Sequence, residues 1–403
     1  VGFYYQKFIV RDRYFLRPIT FSISLLISCS LLFLITACQP PQRVTANERL
    51  FLNLKLEFLD KYDLPNNTKF SDTPVGGLSA ITYDRDKDRF YILSDDRSNL
   101  APARFYTARL NLKQNENKAI KIENLTFEKV TWLRDREGKE YPPGSIDPEG
   151  LALSPRDTIF ISSEGDTVKG IEPSIAEFDL ATGQKKLDLP IPQRYLTGKD
   201  SEGDRGIQEN LAFEALTVNR NGLLTDDPFR LFTATESSLL QDKTQDLELP
   251  ARLRFLHYSL DSVGSPLLVA EHLYLLDTAP VEVISNGLTE LVALNKEGYF
   301  LSLERTFGFT GAGAKIYQMV IANATDTSNI ESLQSNLDRV LPLKKQLLLD
   351  LQTLGIYLDN LEGMTLGPRL PDGSQSLILI SDNNFNKDQI TQLLLFRLIN
   401  NYF

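Results

Sequence analysis

A chain of 403 residues that is 42% hydrophobic and 24% charged has the composition of an ordinary globular protein, with ample apolar material for a core. Its formal charge is −10; residues 1–37 carry Lys7, Arg11, Arg13 and Arg17 against Asp12, so that segment is +3 and the remainder −13. A domain this acidic is ill suited to nucleic acid and better suited to cationic ligands and divalent metals.

The first segment has the layout of an export signal. A basic stretch ending at Arg17 precedes the uncharged run ITFSISLLISCSLLFLITA, residues 19–37. The run closes on LITAC, Leu34 to Cys38, a lipobox-like arrangement in which small residues precede a cysteine that becomes lipidated. The expectation is a signal peptide over 1–37, lipidation at Cys38, a polar tether over 38–50 and a folded domain over 51–403, exported and membrane-anchored through Cys38. An uncleaved anchoring helix is the alternative, although the run is slightly short for a span. Gln39 after Cys38 favours the outer membrane, with the periplasmic side or the cell surface as the setting. Cys29 and Cys38 are the only cysteines, so the exported domain has no disulfide and no thiol chemistry.

Beyond the tether a hairpin pattern recurs five times: at 76–97, 147–166, 213–239, 288–307 and 361–385. Each copy has a small or acidic residue, a short apolar strand, a turn and a second β-rich strand that runs into an acid. Anchored on Ser79, Glu149, Glu214, Glu290 and Glu362, the spacings are 70, 65, 76 and 72 residues. Such a period marks a repeated supersecondary unit. Two more strand-like runs follow most hairpins, and four strands per unit is the blade of a β-propeller. The fold class is therefore all-β, a propeller of five blades, with six the alternative if a long unit conceals a degenerate blade. After the fifth hairpin only QLLLFRLIN, residues 392–400, remains; LNLKLEFLDKYDLP, residues 52–65, supplies the missing strand and closes the ring by pairing the N- and C-terminal strands. The best helical stretch, residues 328–341, reads as an insertion before an outer strand.

Antiparallel neighbours bring the start of the first strand and the end of the second to one face of the ring. Glu149 should meet Glu164 there, Glu214 should meet Glu236, Glu290 should meet Glu304, Glu362 should meet Asp382, and Ser79 should meet Asp95. Nine carboxylates around one mouth would repel and raise one another's pKa. Calcium, which takes six to eight oxygens, removes the conflict. Asp147, Asn210, Asn360, Asn383 and Asn384 can add ligands. Arg97 and Arg305, each following an acidic strand end, can pair with carboxylates or hold an anionic substrate. The plain alternative is that the glutamates accept backbone N–H bonds and hold blade to blade.

Other chemistries are weakly encoded. His257 and His272 are the only histidines and lie in apolar β-type runs, as structural strand residues do. There is no G-x-S-x-G elbow. GFTGAGAK, residues 308–315, fails the P-loop pattern and reads as a flexible loop. Trp132 reads as packing.

The pieces DPEGLA and SSEGD, PSIAEFD, FEALT and ATES, LERTF and KIY, NLEGMTLGP and LISDNNF together resemble the bacterial "esterase-like activity of phytase" family, from about residue 70 to 400. The matched hallmark positions are Glu149, Glu164, Glu214, Glu236, Glu304, Arg305, Glu362, Asp382 and Asn383. The resemblance implies a propeller that hydrolyses phosphate or other esters. Calcium-dependent propeller phytases suggest, by analogy, that metal on an acidic face binds phosphate and activates water.

The leading expectation is thus a lipid-anchored, monomeric hydrolase of a small-molecule phosphate ester, with no nucleic-acid partner. Its metal set would be Asp95, Glu149, Glu164, Glu214, Glu236, Glu290, Glu304, Glu362, Asp382 and Asn383. Glu149 or Glu362 would orient or deprotonate water, and Arg97 or Arg305 would bind phosphate. A non-catalytic binding propeller is one rival, and a carboxylic-ester hydrolase or lactonase another.

Overall fold

Each recurring hairpin forms the two inner strands of a four-stranded antiparallel sheet, and there are five such sheets in the computed structural model. The structure describes Gly2 and residues 50–400, apart from 201–202, 221–223, 225, 245, 247, 263, 279–282, 310 and 335–336. The chain divides into Val1–Leu50 and Phe51–Phe403. The segment expected to be a signal peptide, with Cys29, Cys38 and the expected tether up to residue 49, lies outside the described residues apart from Gly2.

From the channel outward, blade one comprises Ala80–Asp84, Arg89–Ser94, Arg104–Gln114 and Ile120–Trp132. Blade two comprises Pro148–Leu153, Thr158–Ser163, Ser174–Asp179 and Lys185–Asp188. Blade three comprises Phe213–Arg220, Phe229–Thr235, Arg252–Leu260 and Leu267–Leu275. Blade four comprises Val283–Ala293, Tyr299–Gly308, Gly311–Val320 and Lys344–Asp350. Blade five comprises Asn360–Arg369, Gln375–Asp382, Thr391–Asn400 and, as its outermost strand, the N-terminal Leu54–Leu64. The last pairing runs antiparallel from Leu54 opposite Asn400 to Leu64 opposite Thr391, so the ring closes as the sequence predicts.

Burial explains the strand sequences. Second strands are covered by neighbouring blades and have apolar centres; every residue of Thr158–Ser163 and Gln375–Asp382 is buried, the polar ends included. Outer strands meet solvent on one face and alternate, as Ile120–Trp132 does. The hydrophobic core is correspondingly divided into five clusters, one at each junction between adjacent blades. Between blades five and one, for example, Ile378, Ile380, Leu393 and Leu395 pack against Ile81, Phe90, Ile92 and Tyr106. The inner strands of all five blades line the central channel.

Two expectations are corrected. Residues 328–341 form turns and bends where described, not a helix; the described helices are short 3-10 turns. The stretch is an insertion, as expected, and its Ile330 and Glu331 carbonyls accept from the buried Arg254 guanidinium. The described residues of 308–315 are not a loose loop. Gly308 pairs with Gly311, and Gly311–Val320 is the third strand of blade four.

Candidate functional site

Strand register decides which side chains reach the mouth. In blade two Pro148 pairs with Ser163 and Leu151 with Ile161, so the register slips across Glu149. The same slip crosses Glu214 in blade three, between Phe213–Thr235 and Leu216–Thr233. It crosses Glu362 in blade five, between Leu361–Ser381 and Gly363–Ile380. These bulges aim three glutamates alike. The acids that follow the paired Ser163, Thr235 and Ser381 are Glu164, Glu236 and Asp382.

Blade four breaks this ring. Leu288 pairs with Glu304 and Glu290 with Leu303, so Thr289 stands at the station of the glutamates and Glu290 lies one residue further along. On the second strand Arg305, not Glu304, takes the station of Glu164, Glu236 and Asp382. One step turns a strand side chain to the other face. Glu290 accordingly lines the channel away from the acidic cavity, and its Oε1 accepts from Leu291 N at 2.9 Å and Leu216 N at 3.2 Å. Glu304 faces the seam with blade three, where Tyr274 Oη donates at 2.6 Å, Asp277 N at 3.1 Å, and Lys345 pairs with it. The expectation that these two acids stand at the mouth is corrected. Asn383 is corrected likewise: its Oδ1 accepts from Gly77 N and Phe385 N and so holds the blade-one loop.

The remaining predicted acids come together. Asp95, Glu149, Glu214, Glu362 and Asp382 line one cavity of about 290 Å³ with Arg97, Arg305, Asn210, Asn360 and Asn384. Oxygens of Asp147, Glu149 and Glu164 lie within 4.8 Å of one another, and so do those of Glu164, Glu214 and Glu236. Glu164 belongs to both groups. Its Oε1 accepts from Ala212 N, but its buried Oε2 has no hydrogen-bond partner, and neither has the buried Oε2 of Glu214. These residues are 2% and 8% exposed.

The cations are fewer. Arg305 Nη2 bonds Glu236 Oε1 at 2.8 Å, and its Nη1 bonds Asn360 Oδ1 and lies 3.5 Å from Glu362. Arg97 Nη2 lies 2.6 Å from Asp147 and also bonds Asn210. Asn360 Nδ2 donates to Glu362 Oε1 at 2.7 Å. A glycine makes room for this packing: a Cβ at Gly287 would stand 2.1 Å from Glu236 Oε1.

Eight carboxylates against two guanidiniums leave an electrostatic deficit. Burial, reinforced by Glu362 and Asp147, pushes Asp95 up to about 7. Burial raises Glu362 to about 7 against the pull of Arg305, and Asp147 to about 6 against that of Arg97. Burial and neighbouring carboxylates raise Glu149, Glu164, Glu214 and Asp382 well above the carboxylate range. Glu149 and Glu362 nevertheless keep part of their surface open to the cavity. The donor set is all oxygen and suits a hard divalent cation better than zinc or copper. The orphaned Glu164 and Glu214 oxygens are what such an ion would satisfy.

The histidines lie elsewhere. His257 stacks on Phe232 at 4.5 Å with its pKa lowered to about 4 by burial, and His272 Nδ1 lies 3.0 Å from Thr325 O. Ser285 and Phe307, not singled out in the sequence, also line the cavity. The alternation Arg305, Phe307, Phe309 was the available signal.

Fold and site together define a five-bladed propeller with an acidic, arginine-bearing mouth able to hold a cation. The chain belongs to the phytase-like family, whose model, described as "Esterase-like activity of phytase", matches residues 73–385. Membership supports a hydrolase-like propeller. No curated protein matches the sequence. Among solved structures, the Dos1 propeller is 9% identical with a TM-score of 0.31, covering 80% of this chain and 68% of that one. The catalytic domain of Coprinopsis cinerea GH62 α-L-arabinofuranosidase is 10% identical with a TM-score of 0.40, covering 85% and 97%. Kuenenia stuttgartiensis hydrazine synthase is 11% identical with a TM-score of 0.34, covering 80% and 83%.

Proposed function

We propose that the acidic mouth hydrolyses a phosphate ester with the help of calcium. The observation that carries this reading is the pair of buried, unpartnered carboxylate oxygens on Glu164 and Glu214 within a cluster that two arginines border. Asp147, Glu149, Glu164, Glu214 and Glu236 would hold the metal. Bound calcium would neutralise carboxylate repulsion and polarise a phosphoryl oxygen.

The chain's own residues do the rest. Arg305, braced by Glu236 and Asn360, and Arg97, braced by Asp147 and Asn210, offer planar N–H forks to phosphoryl oxygens. Glu362, with a pKa near 7, accepts a proton from the attacking water at neutral pH. The water oxygen bonds to phosphorus as the ester P–O bond breaks. The leaving alkoxide takes up a proton from solvent, Glu362 gives its proton back to solvent, and the water's oxygen and other hydrogen depart in inorganic phosphate.

The test uses the full chain in detergent, stripped of metal, with 4-nitrophenyl phosphate, phytate and 4-nitrophenyl acetate. Phosphate release should require added calcium and fall at least about 100-fold in Glu362→Gln. Cleavage of the acetate alone would replace this reading with a carboxylic-ester hydrolase.

A further inference from the structure

We propose that the face beyond Arg305 selects a phosphate monoester carrying an apolar or aromatic group, rather than a polyphosphorylated polyol; the inference rests on the hydrolase reading above. Its origin is the irregular length of blade four. The second strand of that blade runs for 10 residues, against 6, 6, 7 and 8 in the others. Arg305 already occupies the station at which the others end or have just ended, so Thr306, Phe307 and Gly308 project past the rim. The first and third strands extend with them, since Val283 pairs with Gly308 and Gly308 with Gly311.

Strand alternation puts Arg305 and Phe307 on one face of this extension. Gly287 lies opposite Arg305, and Ser285 opposite Phe307. Arg305, Phe307 and Ser285 all line the cavity. Phe307 is 43% exposed, Phe309 in the following turn 86%, and Ile284 beside Ser285 63%. An exposed aromatic beside a charged cavity leaves apolar area that an amphiphilic ligand can cover.

Charge separates the two substrate classes. Among the described residues lining the cavity, Arg97 and Arg305 are the cations, and they face a larger set of carboxylates. One phosphoryl group matches two guanidiniums. A polyol with many phosphates would set most of its charge against carboxylates and leave Phe307 uncovered.

The experiment compares 2-(1-naphthyl)ethyl phosphate with glycerol phosphate, both alkyl esters of similar leaving-group ability, using calcium-loaded full chain. Wild type should favour the naphthylethyl ester in kcat/KM by at least about tenfold. Phe307→Ala should bring the two within about threefold, and Phe307→Leu should restore part of the preference. Phosphate release with no preference, or with a preference that Phe307→Ala leaves intact, overturns the inference while the hydrolase reading stands. No release from either ester, with naphthylethyl phosphate binding that calorimetry shows weakened in Phe307→Ala, sustains apolar recognition and overturns the hydrolase. Neither release nor binding overturns both.

Discussion

Glu164 is where the two carboxylate groups meet, and its environment is unbalanced. One oxygen accepts from Ala212 N, and the other has no partner although the residue is buried. The same imbalance extends to Asp95, Glu362 and Asp147, whose pKa values stand at about 7, 7 and 6. In the unfolded chain carboxylates titrate near 4. Between about pH 4 and 7 the folded protein therefore holds more protons than the unfolded one, and its stability falls as pH rises through that window. Thermal melts of the calcium-free chain should show Tm falling from pH 4 to 7. Calcium prefers the deprotonated carboxylates, so it should raise Tm most at pH 7 and flatten the slope. A calcium-free Tm that rises from pH 4 to 7 would show that the mouth's carboxylates are not strained.

Among the elements, the strand Leu54–Leu64 has the longest reach, joining the start of the domain to its end. Leu56 is buried with Phe396 and Leu398, whereas the adjacent Lys55 is exposed. Leu56→Ala should cost about 2–3 kcal/mol of unfolding free energy, and Lys55→Ala less than about 0.5 kcal/mol, both read from urea melts. Equal small effects would mean that this closure contributes little. The closing strand was legible because its apolar pattern stood without a local partner while blade five lacked one. The five hairpins were legible because their paired apolar runs recur and end in acids. The displacement of Glu290 and Glu304 was not legible. Blade four carries the same slip as blades two, three and five, and its acids stand one residue out of step with it, which leaves the apolar pattern around them unchanged. Nor was the turn structure of residues 328–341 readable, because its apolar spacing suits a helix while Arg254 recruits its carbonyls instead.

At the scale of the whole molecule, five similar blades make a ring, and blade four breaks its symmetry. Thr289 and Arg305 replace acids there, and the extended hairpin carries Phe307 over the cavity. Repetition made the acidic mouth readable from sequence, while the departure that distinguishes one sector from the rest needed register. The most direct test of the account is calorimetric titration of calcium into the metal-stripped full chain. Wild type should bind, Glu164→Gln should bind at least about tenfold more weakly, a loss of about 1.4 kcal/mol, and Glu290→Gln should bind as wild type does. Absence of binding to folded wild-type protein, or equal loss in both variants, would contradict a calcium site at the mouth.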